Sequence, residues 1–280
     1  MIDQCSILRD TFVRDVDSHA TLSSTNTRAM ELAQLPDLTT PLLVITERQT
    51  AGRGRGDHAW WSNDGALTFS LVLELEHFST SSSPLRTGGE GFGREVRGPS
   101  AGLRPETWSR VALAAGVAVC DVLADLLPGT PLGLKWPNDV FLAGRKVCGI
   151  LTEIPASRPP VPQRLVIGVG INVNNSFSTA PPELRQVGVA LCDVAERELD
   201  RTEVLVHVLR RIEAHLWSLA KADPELPARW RELSLLTDRQ VAVQQGSRRV
   251  EGRCIEIDNA GALVLDTPFG RQRMFGGTVV

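Results

Sequence analysis

Positive charge sits where glycine lets the backbone come close. Gln49-Thr50-Ala51-Gly52-Arg53-Gly54-Arg55-Gly56 alternates glycine with arginine directly after an apolar run. Glycine N–H groups approach an anion unobstructed, and a guanidinium offers a planar fork of donors. The stretch therefore suits a phosphate or a carboxylate. It lacks the Gly-Lys-Ser/Thr ending of a P-loop and the glycine spacing of a dinucleotide fingerprint. A solvated loop or an arginine–glycine nucleic-acid segment has the same composition, so these residues alone leave both readings open.

Three further segments carry polar groups at suggestive places. Lys135-Trp136-Pro137-Asn138-Asp139 is followed by Gly144-Arg145-Lys146-Val147-Cys148-Gly149-Ile150, two strands turning at Ala143-Gly144. Of the 30 basic residues only Lys135, Lys146 and Lys221 are lysine, and two of the three fall here. An ammonium is compact and can lose its proton, unlike a guanidinium. Turn chemistry and solvated charge would account for the same residues. Gly168-Val169-Gly170-Ile171-Asn172 places glycines inside a strand, which marks close approach of a ligand or of another part of the chain. Ser24-Thr25-Asn26 has the composition of a helix start, with hydroxyls also able to hold a polar ligand.

The elements that position these groups read as follows. Residues 23–35 predict a helix and 42–47 a buried strand. Residues 66–75 predict a long strand, and 108–127 a helix apolar nearly all round, hence buried. LGLKW, DVFL, KVCGILTEI and RLVIGVGINV predict strands with short turns, and SRPPVPQ (157–163) a flexible turn. Residues 202–221 and 224–236 predict helices. Four β-like pieces after Thr237, separated by turn signals, predict a small C-terminal barrel. Residues 78–106, rich in Ser, Gly and Pro, are expected to be a flexible insertion, too poor in large apolar groups to offset the entropy of ordering. The class is α+β, with a mixed or antiparallel sheet and flanking helices, and no regular βαβ alternation.

Bulk properties narrow the function. The 280 residues carry a net charge of −3 and 42% hydrophobic residues. That balance argues against a surface devoted to nucleic acid. No apolar run reaches the ~20 residues of a membrane span, and the first residues do not read as a signal peptide, so a cytoplasmic location is expected. Five scattered cysteines without a CxxC pair are expected to be reduced thiols, and no protein metal site is expected.

Taken in order, SSTN, ERQTAGRGRG, WWSNDGALTFSLVL, LKWPNDVFLAGRKVCGILTE, VIGVGINVN and a C-terminal β segment ending FGG resemble the biotin–protein ligases. The match spans most of residues 20–175 and 237–277. GRGRG, KWPND and GRK…GI together are specific, although each is weak alone. The resemblance implies a catalytic domain (1–236) like that of class II aminoacyl-tRNA synthetases and lipoate ligases. It also implies an SH3-like C-terminal domain (237–280). About 23 residues precede SSTN. That is too few for the DNA-binding domain some members carry, so a monofunctional enzyme without DNA as partner is expected.

The resemblance further implies biotin as substrate with ATP and Mg2+, and formation of biotinyl-5'-AMP. The partner would be a lysine on a biotin carboxyl carrier domain of acetyl-CoA or pyruvate carboxylase; dimerisation is left open. Residue by residue, it places Ser24, Thr25 and Gln49 on the biotin ring. Gly52, Gly149, Ile150 and Gly168 join the biotin set. Arg53 would lie near the biotin carboxylate and Arg55 near the adenylate phosphate, in a loop closing over the ligand. Trp60, Asn138 and Asn172 would serve the adenine side. Lys146 would bridge carboxylate and α-phosphate, and Asp139 would meet the incoming amine. Gly56-Asp57 departs from the family, where another basic residue is frequent. The rival within the fold is a lipoate ligase or octanoyltransferase; the rival from another class is a nucleic-acid-binding module.

Overall fold

The computed structural model describes residues 2–56, 58–78, 103 and 107–280. The chain opens with α1 (Gln4–Asp10) and β1 (Asp15–Leu22), neither predicted from the sequence, then α2 (Thr25–Leu32), β2 (Leu42–Gln49) and β3 (Leu67–Glu74). Next come α3 (Trp108–Leu126), β4 (Leu132–Lys135), β5 (Asp139–Leu142), β6 (Arg145–Glu153) and β7 (Arg164–Ile171). Two short helices, α4 (Pro182–Arg185) and α5 (Leu191–Ala195), precede α6 (Arg201–Ala220) and α7 (Glu225–Glu232). The end is all β: β8 (Gln240–Gln245), β9 (Arg248–Ile257), β10 (Leu263–Thr267), β11 (Gly270–Met274) and β12 (Thr278–Val279). The last strand is a fifth piece beyond the four read from sequence.

Seven strands form one sheet in the order β1-β2-β3-β7-β6-β5-β4, with β1 parallel to β2 and the other neighbours antiparallel. The apolar run of β2 is continuous because both faces of the sheet are covered. Leu43 and Ile45 enter the main core with α3 and α6, whereas Leu42 and Val44 pack with Ala29 and Ala33 of α2. β1 is an edge strand whose Asp15, Asp17 and His19 alternate with modest apolar groups. That polar pattern blunts an exposed edge and hides the strand from a hydrophobicity reading.

Two predicted helices are shorter than expected for tertiary reasons. α2 starts after Ser24, whose hydroxyl accepts from the Thr27 N–H, and ends where the buried Arg164 takes over. That guanidinium donates to the carbonyls of Ala33, Leu35 and Pro36 and pairs with Glu74 at 2.9 Å. Residues 233–235 leave α7 to lie beside β4, with Leu134 N–H donating to Leu233 O (2.7 Å) and Leu235 N–H to Leu134 O (2.9 Å). A backbone pairing there outcompetes the weak local preference for helix.

β8 to β12 form a second, antiparallel sheet in the order β11-β10-β9-β8-β12. Its interior residues Val243, Cys254, Ile257, Leu263 and Leu265 belong to the same apolar cluster as α3 and the large sheet. The indole N–H of buried Trp136 donates to Gly261 O at 3.0 Å, so the tryptophan of the KWPND motif docks the small sheet. The expected flexible insertion at 78–106 lies outside the described residues, apart from Phe78 and Leu103. Both are buried in the core, so Phe78 belongs to the body of the protein.

Candidate functional site

The site stands on the face of the large sheet that α2 only partly covers. Ser70 of β3, Gly168 of β7 and Leu151 of β6 lie side by side in register; one step along the strands, so do Thr68, Gly170 and Gly149. The floor is hollow because its side chains are small. A Cβ at Gly168 would fall 1.8 Å from Asn26 Oδ1, and one at Gly170 would fall 2.5 Å from the Trp60 ring. The expectation of close approach at these glycines holds, but among the described residues the groups that approach are Asn26 and Trp60.

A cavity of about 330 Å3 opens above this floor. Ser24, Thr25, Gln49, Arg53, Arg55, Trp60, Asn138, Asp139, Lys146, Gly149, Ile150 and Gly168 all line it, as do Lys135 and, from the small sheet, Thr278 and Val279. Twelve of the fourteen predicted site residues therefore meet in one place. Gly52 and Asn172 do not line the cavity, although Gly52 lies against the Gln49 amide. Gly52 is where the loop packs on itself: its Cβ would sit 2.5 Å from the Trp60 carbonyl oxygen. Asn172, 2% exposed, is turned inward, and its side-chain oxygen accepts from Asn175 at 3.0 Å. It lies just past the end of β7, where the chain has left the floor.

The polar end of the cavity is built at the start of α2. Gln49 Oε1 accepts from the Thr25 N–H (2.8 Å) and hydroxyl (3.2 Å). With that oxygen committed, the Gln49 amide N–H groups remain for a ligand acceptor. The glycine–arginine segment folds back as a small hairpin, with Gly54 N–H donating to His58 O (2.7 Å) and Trp60 N–H to Gly52 O (2.9 Å). Asp57 lies outside the described residues. Arg53 pairs with Glu153 at 2.6 Å, and Arg55 donates to Gly277 O (2.9 Å) and Asn138 Oδ1 (3.4 Å). Burial pushes the Arg55 guanidinium below its ordinary pKa, opposed by the Asp139 carboxylate.

The other cation is set by the ladder. β5 and β6 turn through Ala143 and Gly144, both at positive φ (49° and 77°), the hairpin turn expected of Ala-Gly. Lys146 pairs with Asp139 at 2.7 Å and lies 5.7 Å from the Trp60 ring centroid. Asn138 is fastened to β6: its amide donates to Ile150 O, and its carbonyl accepts from Ile150 N–H. Sequence reasoning missed Glu153, Asn26 and Ser70, although SSTN and KVCGILTE contain the first two. The buried thiols take no part: burial pushes Cys120 up to about 12 and Cys254 to about 11, and raises Cys148 well above its usual range. Among the described residues no three His, Cys, Asp or Glu side chains cluster as metal ligands, and no helix is long and apolar enough to cross a membrane.

The chain has known counterparts. The Biotin/lipoate A/B protein ligase family matches residues 19–91 and 100–172. A biotin–[acetyl-CoA-carboxylase] ligase of Mycobacterium tuberculosis is 33% identical over 256 residues, covering 90% of this chain and 84% of that protein. The chain belongs to the biotin/lipoate A/B protein ligase family. The bifunctional ligase/repressor BirA of Bacillus subtilis is 29% identical over 265 residues, 93% of this chain and 72% of that relative. A biotin protein ligase from Aquifex aeolicus, solved in complex with biotin and ATP, superposes with a TM-score of 0.74 at 25% identity. The superposition covers 95% of this chain and 98% of that one. The mixed α+β architecture of this ligase fold, with a large mixed sheet and a smaller C-terminal antiparallel sheet, is the one found here.

Proposed function

We propose that this protein is an ATP-dependent biotin–protein ligase. The observation that carries the reading is the convergence of Arg53 and Arg55 from the glycine loop with Lys146 from the β5–β6 hairpin. All three line one cavity together with the polar Ser24–Thr25–Gln49 group.

The first step joins two anions. A biotin carboxylate oxygen attacks the α-phosphorus of ATP, the bond to the bridging oxygen breaks, and pyrophosphate leaves with its electron pair. Cations placed beforehand between the reactants relieve their repulsion as charge develops. Lys146 takes this place, with Arg53 on the biotin carboxylate and Arg55 on the adenylate phosphate. Gln49, Ser24 and Thr25 hold the ring, and Gly149 and Ile150 flank the slot. Trp60 and Asn138 serve the adenine. Magnesium would be held mostly by phosphate oxygens and water, as is usual for this ion, and would supply positive charge on the phosphates. In the second step a neutral lysine amine of a biotin carboxyl carrier domain attacks the mixed anhydride, and AMP leaves. Asp139, once Lys146 turns to the phosphate, can orient the amine and accept its proton.

In this reading residues 1–236 form the catalytic domain and 237–280 an SH3-like barrel, and the carrier belongs to acetyl-CoA or pyruvate carboxylase. Incubation with biotin, MgATP and a carrier domain should add one biotin to the carrier by mass, with no gain when lipoate replaces biotin. No gain with either acid overturns the proposal.

A further inference from the structure

Glu153 ends β6 behind the loop arginine and has been assigned no part in the reaction. One carboxylate oxygen accepts from Arg53 Nη2 at 2.6 Å, and the other from Asn26 Nδ2 at 2.9 Å. Asn26 is itself locked. Its side-chain oxygen takes the Ser70 hydroxyl at 2.6 Å, and it fills the space left by the missing side chain of Gly168. Asn26 is 4% exposed and Ser70 fully buried, so this anchor lies inside the protein.

Such an anchor has a consequence for the guanidinium it holds. An arginine side chain has many rotamers, and its directional donors are useful only when aimed. With Nη2 held by a carboxylate that is itself tied to Asn26, the remaining N–H groups of Arg53, whose side chain is 44% exposed, are restricted in direction, and Arg53 lines the cavity. Metal ligands and their analogues are aimed by partners behind them in the same manner. We infer that Glu153 is a positioning residue: held by Asn26, it aims Arg53 at the carboxylate of the acid substrate. It touches no substrate and acts only through Arg53. This inference rests on the ligase reading above, because it takes biotin as the acid.

The test is calorimetric binding of biotin and of biotinol, in which a CH2OH group replaces the carboxylate. The proteins are wild type, Glu153→Gln, Arg53→Ala and the double variant. Glu153→Gln should weaken biotin about tenfold and biotinol less than about twofold, and in the Arg53→Ala background it should add less than about twofold. Equal weakening of both ligands, an undiminished effect without Arg53, or unchanged biotin affinity each overturns the assignment. Should the glutamine variant not fold, Asn26→Ala, which frees the other carboxylate oxygen, must show the same preference for weakening biotin. If wild type binds neither ligand, the ligase reading itself fails and takes this one with it.

Discussion

Two regions deliver the cations, and they hold them differently. The β5–β6 hairpin fixes Lys146 through a strand ladder, a turn with two left-handed residues and the cross-links from Asn138 to Ile150. The glycine loop is tied at its start by Thr50 and Ala51 N–H to the Leu22 and Ser23 carbonyls, has a few backbone bonds to itself, and beyond these is held by its own functional side chains, Arg53 to Glu153 and Arg55 to Gly277. In the hairpin, the backbone position does not depend on the charge, although the ammonium itself pairs with Asp139 across the strands. In the loop, the groups that would meet the ligand are also the groups that hold the loop. A ligand that takes Arg55 therefore competes with its bond to Gly277 O, as a covering segment requires, whereas Arg53 can meet the ligand with the N–H groups that Glu153 leaves free.

Substitutions can break that contrast. Lys146→Ala should show the largest effect: biotin-dependent ATP–pyrophosphate exchange slowed ~10^2–10^3-fold. Biotin affinity should change far less, because the ammonium acts where charge develops. Exchange at the wild-type rate would remove Lys146 from the mechanism. Gly52→Ala should come next, since its Cβ would meet the Trp60 carbonyl oxygen at 2.5 Å. We expect exchange slowed about 10–100-fold, equivalent to ~1–3 kcal/mol, with the melting temperature lowered by a few degrees. Arg55→Gly should release the adenylate about tenfold faster, the value of one charged hydrogen bond. That release is measured by trapping freed biotinyl-AMP and by stray labelling of bystander proteins. Equal release rates would deny the loop its covering role. The smallest effect belongs to Gly144→Ala at the hairpin tip, where φ is 77°. It should cost ~1 kcal/mol of stability and leave exchange below the melting range intact. If this variant lost activity as Gly52→Ala does, the two regions would not differ in the way described.

Much of this was legible from sequence because short-range pattern and long-range packing agree. The β6 and β7 runs are apolar, interrupted by glycine where the site lies. The Ala143-Gly144 turn was read correctly, and the loop and hairpin share one cavity as the ligase resemblance requires. What stayed hidden depends on partners distant in sequence. The end of α2 is set by Arg164, more than a hundred residues away. β1 is too polar to resemble a strand until β2 pairs with it. Strand β12, two residues long, has no pattern to detect, yet Thr278 and Val279 line the cavity. Asn172 was expected at the adenine, and only its place beyond the end of β7 turns it toward Asn175. Glu153 reads as an ordinary surface carboxylate until Asn26 and Arg53 are found on either side of it.

The indole of Trp60 rests on the floor at Gly149 and Gly170, with its Nε1 buried and without a hydrogen-bond partner, at the wall of the cavity. An indole's emission follows the polarity and quenching groups around it, and an ammonium already lies within 6 Å of this ring. Trp136 lines the cavity as well, while Trp61, Trp108, Trp217 and the fully buried Trp230 do not line it and supply the background. The protein thus carries an intrinsic optical reporter of occupancy, one that Trp60→Phe would weaken.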